Sequence, residues 1–234
     1  MKFELVIQSR RRVLIKLLAG VLVLFVSGCA TTTQSSRESK SQAQVKRRGY
    51  EIIIMSEGRA HYFENRLPHC LAYTLAGEWD FAIQEAALRT PDGRGFVGVQ
   101  IRATDGMPGA PRDDSVSRAV AYYQADTAKD WGRSVPSVVE PFPTSQREGV
   151  LLQFDEVTIT PETAARVLGS KKLKIGETVR IEKRVIVPFL PGLVMVVTVD
   201  DVLYAWQVLD TVQITEHPRC WEPTIRERFP GVLR

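Results

Sequence analysis

The stretch TVRIEKRVIVPFLPGLVMVVTV, residues 178–199, decides the fold of this chain. It holds two β-rich runs, Thr178–Phe189 and Leu193–Val199, on either side of Pro191-Gly192. Proline presets φ for a turn and glycine accepts positive φ, so we predict two strands joined by a tight turn. Because Leu193–Val199 is the more apolar strand, we expect it at the centre of a sheet.

More strands are predicted on the N-terminal side of this pair. Ala86–Thr90 and Phe96–Ala103 flank the turn residues Pro91-Asp92-Gly93, a pattern that predicts a hairpin. In Gly149–Ile159 apolar residues alternate until the phase slips after Phe154, which predicts a β-bulge. The other predicted strands are Tyr50–Met55, Leu71–Ile83 with Gly77 inside it, and Lys172–Ile175.

Helical patterns are fewer. Ser115–Trp131 carries apolar residues at helical spacing, and Asp113 or Asp114 can cap its start. A short helix is predicted at Pro161–Leu168, where proline occupies the first turn. A last helix, or alternatively a strand, follows Asp200-Asp201. Residues 133–147 and 216–234 are predicted to be irregular.

This order of elements predicts an α+β fold, an antiparallel β-sheet with two to three helices packed on it. We expect one domain, residues 49–234. The order of elements, together with a tryptophan in an early strand, Trp79, resembles the PsbP/MOG1-like sandwich folds, which include bacterial lipoproteins.

The N-terminus has the pattern of an export signal. Three arginines, residues 10–12, precede the apolar run Val13–Val26, which is 14 residues long, whereas a bilayer-spanning helix needs roughly 20. The run ends in Val26-Ser27-Gly28-Cys29, which resembles the lipobox of bacterial lipoproteins.

The lipobox resemblance implies cleavage between Gly28 and Cys29 and acyl chains on Cys29, several of which anchor a protein stably to a membrane. The alternative is an uncleaved signal anchor. Lipoproteins kept in the inner membrane often carry aspartate after the cysteine, so Ala30 implies the outer membrane. We therefore expect a signal peptide at residues 1–28, a lipidated flexible tether at 29–48 and a domain in the periplasm.

Charge argues against a nucleic-acid partner. The whole chain has a net charge of +4, but the excess lies in the signal peptide and in the tail 30–48. A nucleic-acid-binding protein would carry its positive charge on the domain. We expect the tail cations to lie on anionic headgroups beside the lipid anchor, or else to be solvated.

Besides Cys29 the chain has two cysteines, Cys70 and Cys220. An oxidising periplasm favours a disulfide between them. A zinc site that adds His69 and His217 is the alternative, although adjacent His69 and Cys70 have poor spacing for one metal ion. We predict the disulfide and no metal site.

No recognised catalytic motif is present in the sequence. Gly93–Gly98 fits G-x-G-x-x-G, but a dinucleotide site needs a following helix, and this run continues as a predicted strand. Asp113-Asp114, Asp155-Glu156 and Asp200-Asp201 are acidic pairs, which more often cap helices than perform acid–base chemistry. We predict no cofactor.

The sequence thus favours a non-enzymatic outer-membrane lipoprotein that binds another envelope protein or has a structural role, with its oligomeric state open. The predicted partner surface comprises Asp113, Asp114 and Trp131, within and between the loops 104–114 and 132–147. One alternative is a carrier of a small apolar ligand or lipid. Another is a hydrolase that uses the acidic pairs. The carrier predicts a cavity lined by Phe189, Val194, Val196 and Trp206.

Overall fold

The structure, a computed structural model, describes residues 43–232 apart from 85, 106, 108–113, 132–134, 145–147, 167–173 and 218–219. The predicted signal peptide, the lipid-bearing Cys29 and the tether up to residue 42 therefore lie outside the described residues. The elements in chain order are β1 (Gln44–Arg48), β2 (Glu51–Ser56), β3 (Arg59–Glu64), β4 (Cys70–Ala76), β5 (Asp80–Phe81), β6 (Ala87–Arg89), β7 (Phe96–Ala103), α1 (Ser115–Trp131), β8 (Ser137–Pro143), β9 (Glu148–Phe154), β10 (Val157–Thr158), α2 (Pro161–Arg166), β11 (Thr178–Val179), β12 (Lys183–Leu190), β13 (Leu193–Val199), α3 (Val202–Thr211), β14 (Gln213–Thr215) and α4 (Glu222–Arg228).

The first four strands and the last one build a five-stranded antiparallel sheet in the order β1-β2-β3-β4-β14. A two-residue turn joins β2 to β3 through Glu57 and Gly58, whose φ angles are 53° and 69°. Two successive positive φ angles suit the twist of a hairpin, and glycine adopts them at little cost.

The larger sheet has seven antiparallel strands in the order β5-β6-β7-β13-β12-β9-β8. As predicted, β13 is its central strand, paired with β7 on one side and with β12 on the other. The turn between β12 and β13 uses Gly192 at φ 77°. β10 and β11 form a separate two-stranded ribbon.

The inner faces of both sheets share one hydrophobic core. Ile53, Tyr62 and Tyr73 come from the five-stranded sheet, and Val97 and Val197 from the seven-stranded sheet. Helix α3 joins the same core through Ala205, Val208 and Leu209. The α+β prediction is confirmed, with the refinement that two antiparallel sheets face each other.

The outer face of each sheet is covered by a helix. Ala119 and Tyr123 of α1 pack on Leu152, Ile186 and Val196 of the seven-stranded sheet. On the five-stranded sheet, the cover is α4 and its preceding turn, which bring Trp221 and Ile225 against Ile54 and Phe63. The layers are therefore helix, sheet, sheet and helix. Among the described helices, none combines the length and apolar character needed to span a membrane.

Three predicted boundaries were wrong. β1 begins at Gln44, inside the predicted tether, so the ordered fold starts before residue 49. Residues 137–143 form the edge strand β8 despite their prolines, because an edge strand needs ladder hydrogen bonds on one side only. Residues 222–228 form α4, which is a fourth helix, within the predicted irregular tail.

At two positions where an irregularity was predicted inside one strand, the structure has two separate strands. The phase slip after Phe154 marks the end of β9, and Val157 begins the ribbon with β11. Gly77, at φ 85°, ends β4 and lies before β5, so no continuous strand covers 71–83. The predicted strand Thr178–Phe189 is likewise divided into β11 and β12.

Candidate binding cleft

A cleft of about 440 Å³ lies beside the second half of β7. One wall is Val99–Arg102 of β7, and the opposite wall is the loop segment Arg66–His69. Tyr50, Glu64, Leu71 and Ala86 complete the lining between these walls. The volume is within the range of sites that bind ligands in proteins.

The β7 wall is an open strand edge. β6 pairs with β7 only as far as Gly98, after which the Val99 N–H donates to the Ala86 carbonyl at 3.1 Å. On its other side, β7 pairs with β13 as far as Ala103. Backbone groups alternate between the two sides of a strand, so Ile101 directs its N–H and C=O towards the cleft, as Val99 does. In the described part of the chain, no strand pairs with this side beyond Val99.

The loop wall is held in place by hydrogen bonds at its base and rim. The Asn65 N–H donates to the Tyr50 carbonyl at 3.0 Å, and the Asn65 side chain accepts from the Trp221 N–H at 3.0 Å. Arg66 donates to the Tyr50 hydroxyl at 2.6 Å and lies over the same ring, 5.1 Å from its centroid. A guanidinium group is therefore presented at the rim of the cleft.

His69 closes the far end of the loop wall. Its Nδ1 atom lies 3.3 Å from a carboxylate oxygen of Glu216, and its ring meets Phe189 edge-on with 5.6 Å between centroids. This Phe189 contact holds the end of the loop against β12.

A buried polar cluster lies behind the cleft and centres on Glu51, whose side chain is 2% exposed. Arg48 contacts both carboxylate oxygens, at 2.7 and 3.0 Å. The Tyr62 hydroxyl and the Ala86 N–H also donate to Glu51, at 2.8 and 2.9 Å. Ala86 lines the cleft and directly precedes β6, so this cluster fixes the position at which pairing between β6 and β7 stops and the edge of β7 opens.

The two tyrosines of the inner core lie close to these carboxylates. Burial raises the pKa of Tyr62, and the neighbouring Tyr73, Glu64 and Glu51 raise it further. Burial likewise raises the pKa of Tyr73 well above its ordinary value, with Glu64 and Glu51 adding to it. Both hydroxyls therefore stay neutral at physiological pH and act as dipoles only.

The structure joins Cys70 and Cys220 in a disulfide, as the sequence predicted, with their Cα atoms 5.8 Å apart. The bond links β4 to the turn before α4. Because both sulfur atoms are in the disulfide, they cannot act as thiolate ligands in the alternative zinc site with His69 and His217. Among the described residues, no three His, Cys, Asp or Glu side chains are grouped closely enough to hold a metal ion.

The predicted partner surface is only partly described. Asp114 caps α1, accepting from the backbone N–H groups of Val116 and Ser117 at 3.0 Å each. The Ser117 hydroxyl, and to a smaller extent the Ser117 backbone N–H, donate hydrogen bonds that lower the pKa of Asp114. Trp131 is half-buried and packs against a small core that includes Val135. Asp113 lies outside the described residues.

The other acidic pairs have separate structural roles. Asp201 caps α3 by accepting from the Leu203 N–H at 2.9 Å, and Asp200 accepts from the Asp201 N–H at 2.8 Å. Glu156 pairs with Arg180 at 2.7 Å on the surface. This use in capping and surface pairing is what the sequence favoured over acid–base chemistry.

The glycine-rich run is a hairpin, as predicted, because β6 and β7 pair across it. Gly95 approaches Thr90 and Tyr204 so closely that an added Cβ would meet them at 2.6 and 3.1 Å. The run therefore serves a tight backbone turn, and no helix N-terminus follows it.

The cavity predicted for a carrier is not formed by the predicted residues. Val194 and Val196 face α1 on the outer side of the seven-stranded sheet. Trp206 packs on Phe142 in the inner core, with 4.3 Å between ring centroids. Phe189 contacts His69 at the cleft instead. The alternation of side chains across β13 thus separates residues that the prediction grouped together.

Three cations of the predicted tether make contacts within the domain. Lys46 pairs with Asp80 at 3.0 Å, Arg47 donates to the Val232 carbonyl at 3.0 Å, and Arg48 pairs with Glu51. These residues belong to β1 and not to a flexible tether, whereas contact of the tail cations with lipid headgroups stays a prediction.

No known protein family, no curated protein and no solved structure matches this chain.

The sequence did not predict the cleft, although one signal for it was present. The two arms of the predicted hairpin, Ala86–Thr90 and Phe96–Ala103, differ in length, so the longer arm must extend past its partner.

Proposed function

We propose that this chain is a lipoprotein anchored in the outer membrane through Cys29, with a periplasmic domain that binds another envelope protein without catalysing a reaction. The observation that carries the proposal is the Cys70–Cys220 disulfide. Disulfides persist in oxidising compartments such as the periplasm, which supports export. With those two cysteines paired, the third is Cys29 of the lipobox.

The binding role is supported by the cleft beside β7. It presents an open strand edge, an arginine at its rim and the exposed side chains of Leu67 and Arg102. Two of the acidic residues considered for a hydrolase, Asp114 and Asp201, cap helices instead. We therefore place the partner contact at the cleft instead of at Asp113, Asp114 and Trp131.

The anchor is tested by mass spectrometry of the N-terminal peptide of the mature chain and by separation of inner and outer membranes. We expect cleavage before Cys29, added acyl mass on Cys29, and recovery in the outer membrane. Cys29→Ser should abolish processing and acylation. Ala30→Asp should keep the acyl mass but shift the protein to the inner membrane. An unmodified Cys29 in the mature protein would refute the anchor.

The binding role is tested in cells with a photo-crosslinking amino acid at Leu67, which lines the cleft and is 51% exposed. We expect one defined adduct with an envelope protein. The control carries the same group at Ile175, which is 66% exposed and does not line the cleft. Equal adducts at both positions, or none at Leu67, would contradict a partner site at the cleft.

A further inference from the structure

We propose that the open edge of β7 binds an extended acidic segment of the partner polypeptide as an added β-strand. This inference rests on the proposed binding function and specifies its partner. In strand addition, main-chain hydrogen bonds to an open edge provide affinity and side-chain contacts provide specificity.

The edge has the length and rigidity that strand addition needs. From Val99 to Ala103 the strand extends for about 13 Å, at roughly 3.3 Å per residue, and can pair with about four residues of a partner. β13 supports the strand along its whole length on the other side. Beyond it, the Thr104 N–H and hydroxyl both donate to the Gly192 carbonyl, at 2.8 and 3.0 Å. The edge is therefore held straight before any partner binds.

The end strands of the same sheet are poorer candidates. β8 contains Pro141 and Pro143, which lack the N–H group that a new strand would pair with. β5, at the opposite end, has two residues. Of the described strands in this sheet, β7 thus offers the longest proline-free edge that opens into a cleft.

Charge around the cleft favours an acidic partner segment. Arg66 and Arg102 are exposed, and Gln100 orients the Arg102 guanidinium by accepting from it at 2.9 and 2.7 Å. Glu64 also lines the cleft and is half-buried. Among the described lining residues two positive side chains, Arg66 and Arg102, thus stand against one negative side chain, and this excess of one positive charge complements glutamate or aspartate side chains.

The test measures fluorescence polarisation of labelled peptides with the full mature chain in detergent micelles. The probes are peptides of about ten residues that alternate glutamate with valine, isoleucine, threonine or tyrosine. We expect binding, with at least about tenfold weaker affinity when lysine replaces glutamate. If none of these peptides binds at about 1 mM, the proposal is wrong.

Backbone pairing is tested by methylating peptide nitrogens. Only every second residue of an added strand directs its N–H to β7. N-methylation in that phase should weaken binding at least about tenfold, whereas the alternate phase should change it less than about twofold. Equal effects in both phases would overturn strand addition, whatever the affinity of the parent peptide.

Protein variants locate the site. Ile101→Pro removes the N–H that faces the cleft and should abolish peptide binding, with circular dichroism as the check on folding. Should that variant unfold, the methylation result alone decides the matter. Arg66→Glu should weaken binding of acidic peptides at least about fivefold, whereas Arg94→Glu, an equal charge change at an exposed position outside the cleft, should not.

Failure of this inference is distinguishable from failure of the proposed function. Peptide binding does not depend on the lipid, so an unacylated Cys29 leaves the peptide measurement unaffected. Conversely, an acylated protein that crosslinks at Leu67, but whose peptide binding does not depend on which phase is methylated, would support the proposed binding function and contradict the added strand.

Discussion

Arg48 and Glu51 form a two-point ion pair across the turn between β1 and β2, with Nε–Oε2 at 2.7 Å and Nη2–Oε1 at 3.0 Å. The carboxylate is buried, whereas the arginine side chain is 30% exposed. Arg48 also donates to the carbonyls of Ala82 and Gln84. One side chain thus joins the first strand, the buried carboxylate and the segment before β6.

Glu51→Gln should lower the free energy of unfolding by about 2–4 kcal/mol, because it leaves the guanidinium without its buried counter-ion while keeping an acceptor for Tyr62. Urea denaturation measures the change. The matched control is Glu156→Gln, in an exposed pair with Arg180, which should cost less than about 1 kcal/mol. Equal losses in the two variants would contradict this role for Glu51.

Removing the disulfide with Cys70→Ala and Cys220→Ala should destabilise the protein by about 2–5 kcal/mol, since the bond closes a long loop in the unfolded chain. The two residues are 150 positions apart. Denaturation curves with and without reductant provide the measurement. The reduced wild type should match the double variant, and a reductant-insensitive wild type would show that the bond does not contribute.

His61 should make stability depend on pH. Burial, then the charges of Arg228 and Arg59, lower its pKa from the ordinary 6.5. The folded protein then binds fewer protons than the unfolded chain, so stability is present above pH 6.5 and is lost as the pH falls below that value. Denaturation midpoints from pH 7.5 downward, at about half-unit steps, measure the slope. In His61→Gln the slope should flatten; an unchanged slope would assign it to other groups.

Gly95→Ala should destabilise the β6–β7 hairpin by about 1–3 kcal/mol, because its Cβ would lie 2.6 Å from the Thr90 methyl group. Gly98→Ala, three residues later in the same run, is the control. Its Cβ would make ordinary contacts at 3.6 Å or more, and we expect a loss below about 1 kcal/mol. Thermal unfolding of both variants checks the difference; a larger loss at Gly98 would contradict the packing argument.

Local patterns in the sequence predicted most of the architecture. Ser115–Trp131 is a helix with the predicted bounds, and β13 is the predicted central strand. These elements are governed by apolar periodicity and turn chemistry, which act over a few residues. The turn at Pro191-Gly192 was predictable for the same reason.

Elements that depend on distant partners were missed. β1, with the sequence QVKRR, has little apolar character, and its ordering depends on contacts with Glu51, Asp80 and Val232. α4 covers a sheet formed about 150 residues earlier and is linked to it by the Cys70–Cys220 bond. Such contacts become evident only when the chain is folded.

The cleft as a whole could not be predicted for a related reason, although the unequal arms of the predicted hairpin indicate that β7 extends past β6. Its walls come from β7 and from the loop Arg66–His69. Neither wall has a distinctive pattern alone, and only the register of β6 against β7 shows where the edge opens. Local sequence patterns likewise could not show that Val194 and Val196 face α1 on one side of the sheet while Trp206 packs in the core on the other side.

Because β1 starts at Gln44, the tether between the domain and its proposed lipid anchor is shorter than predicted. Fourteen residues lie between Cys29 and Gln44, so even a fully stretched chain between them reaches about 50 Å at most. An acylated Cys29 would confine the domain to a layer of this thickness and so raise its local concentration relative to membrane-bound partners. A peptide contact of weak affinity would then be enough to keep the domain bound to its partner. The fraction bound would change when residues are added to or removed from the tether.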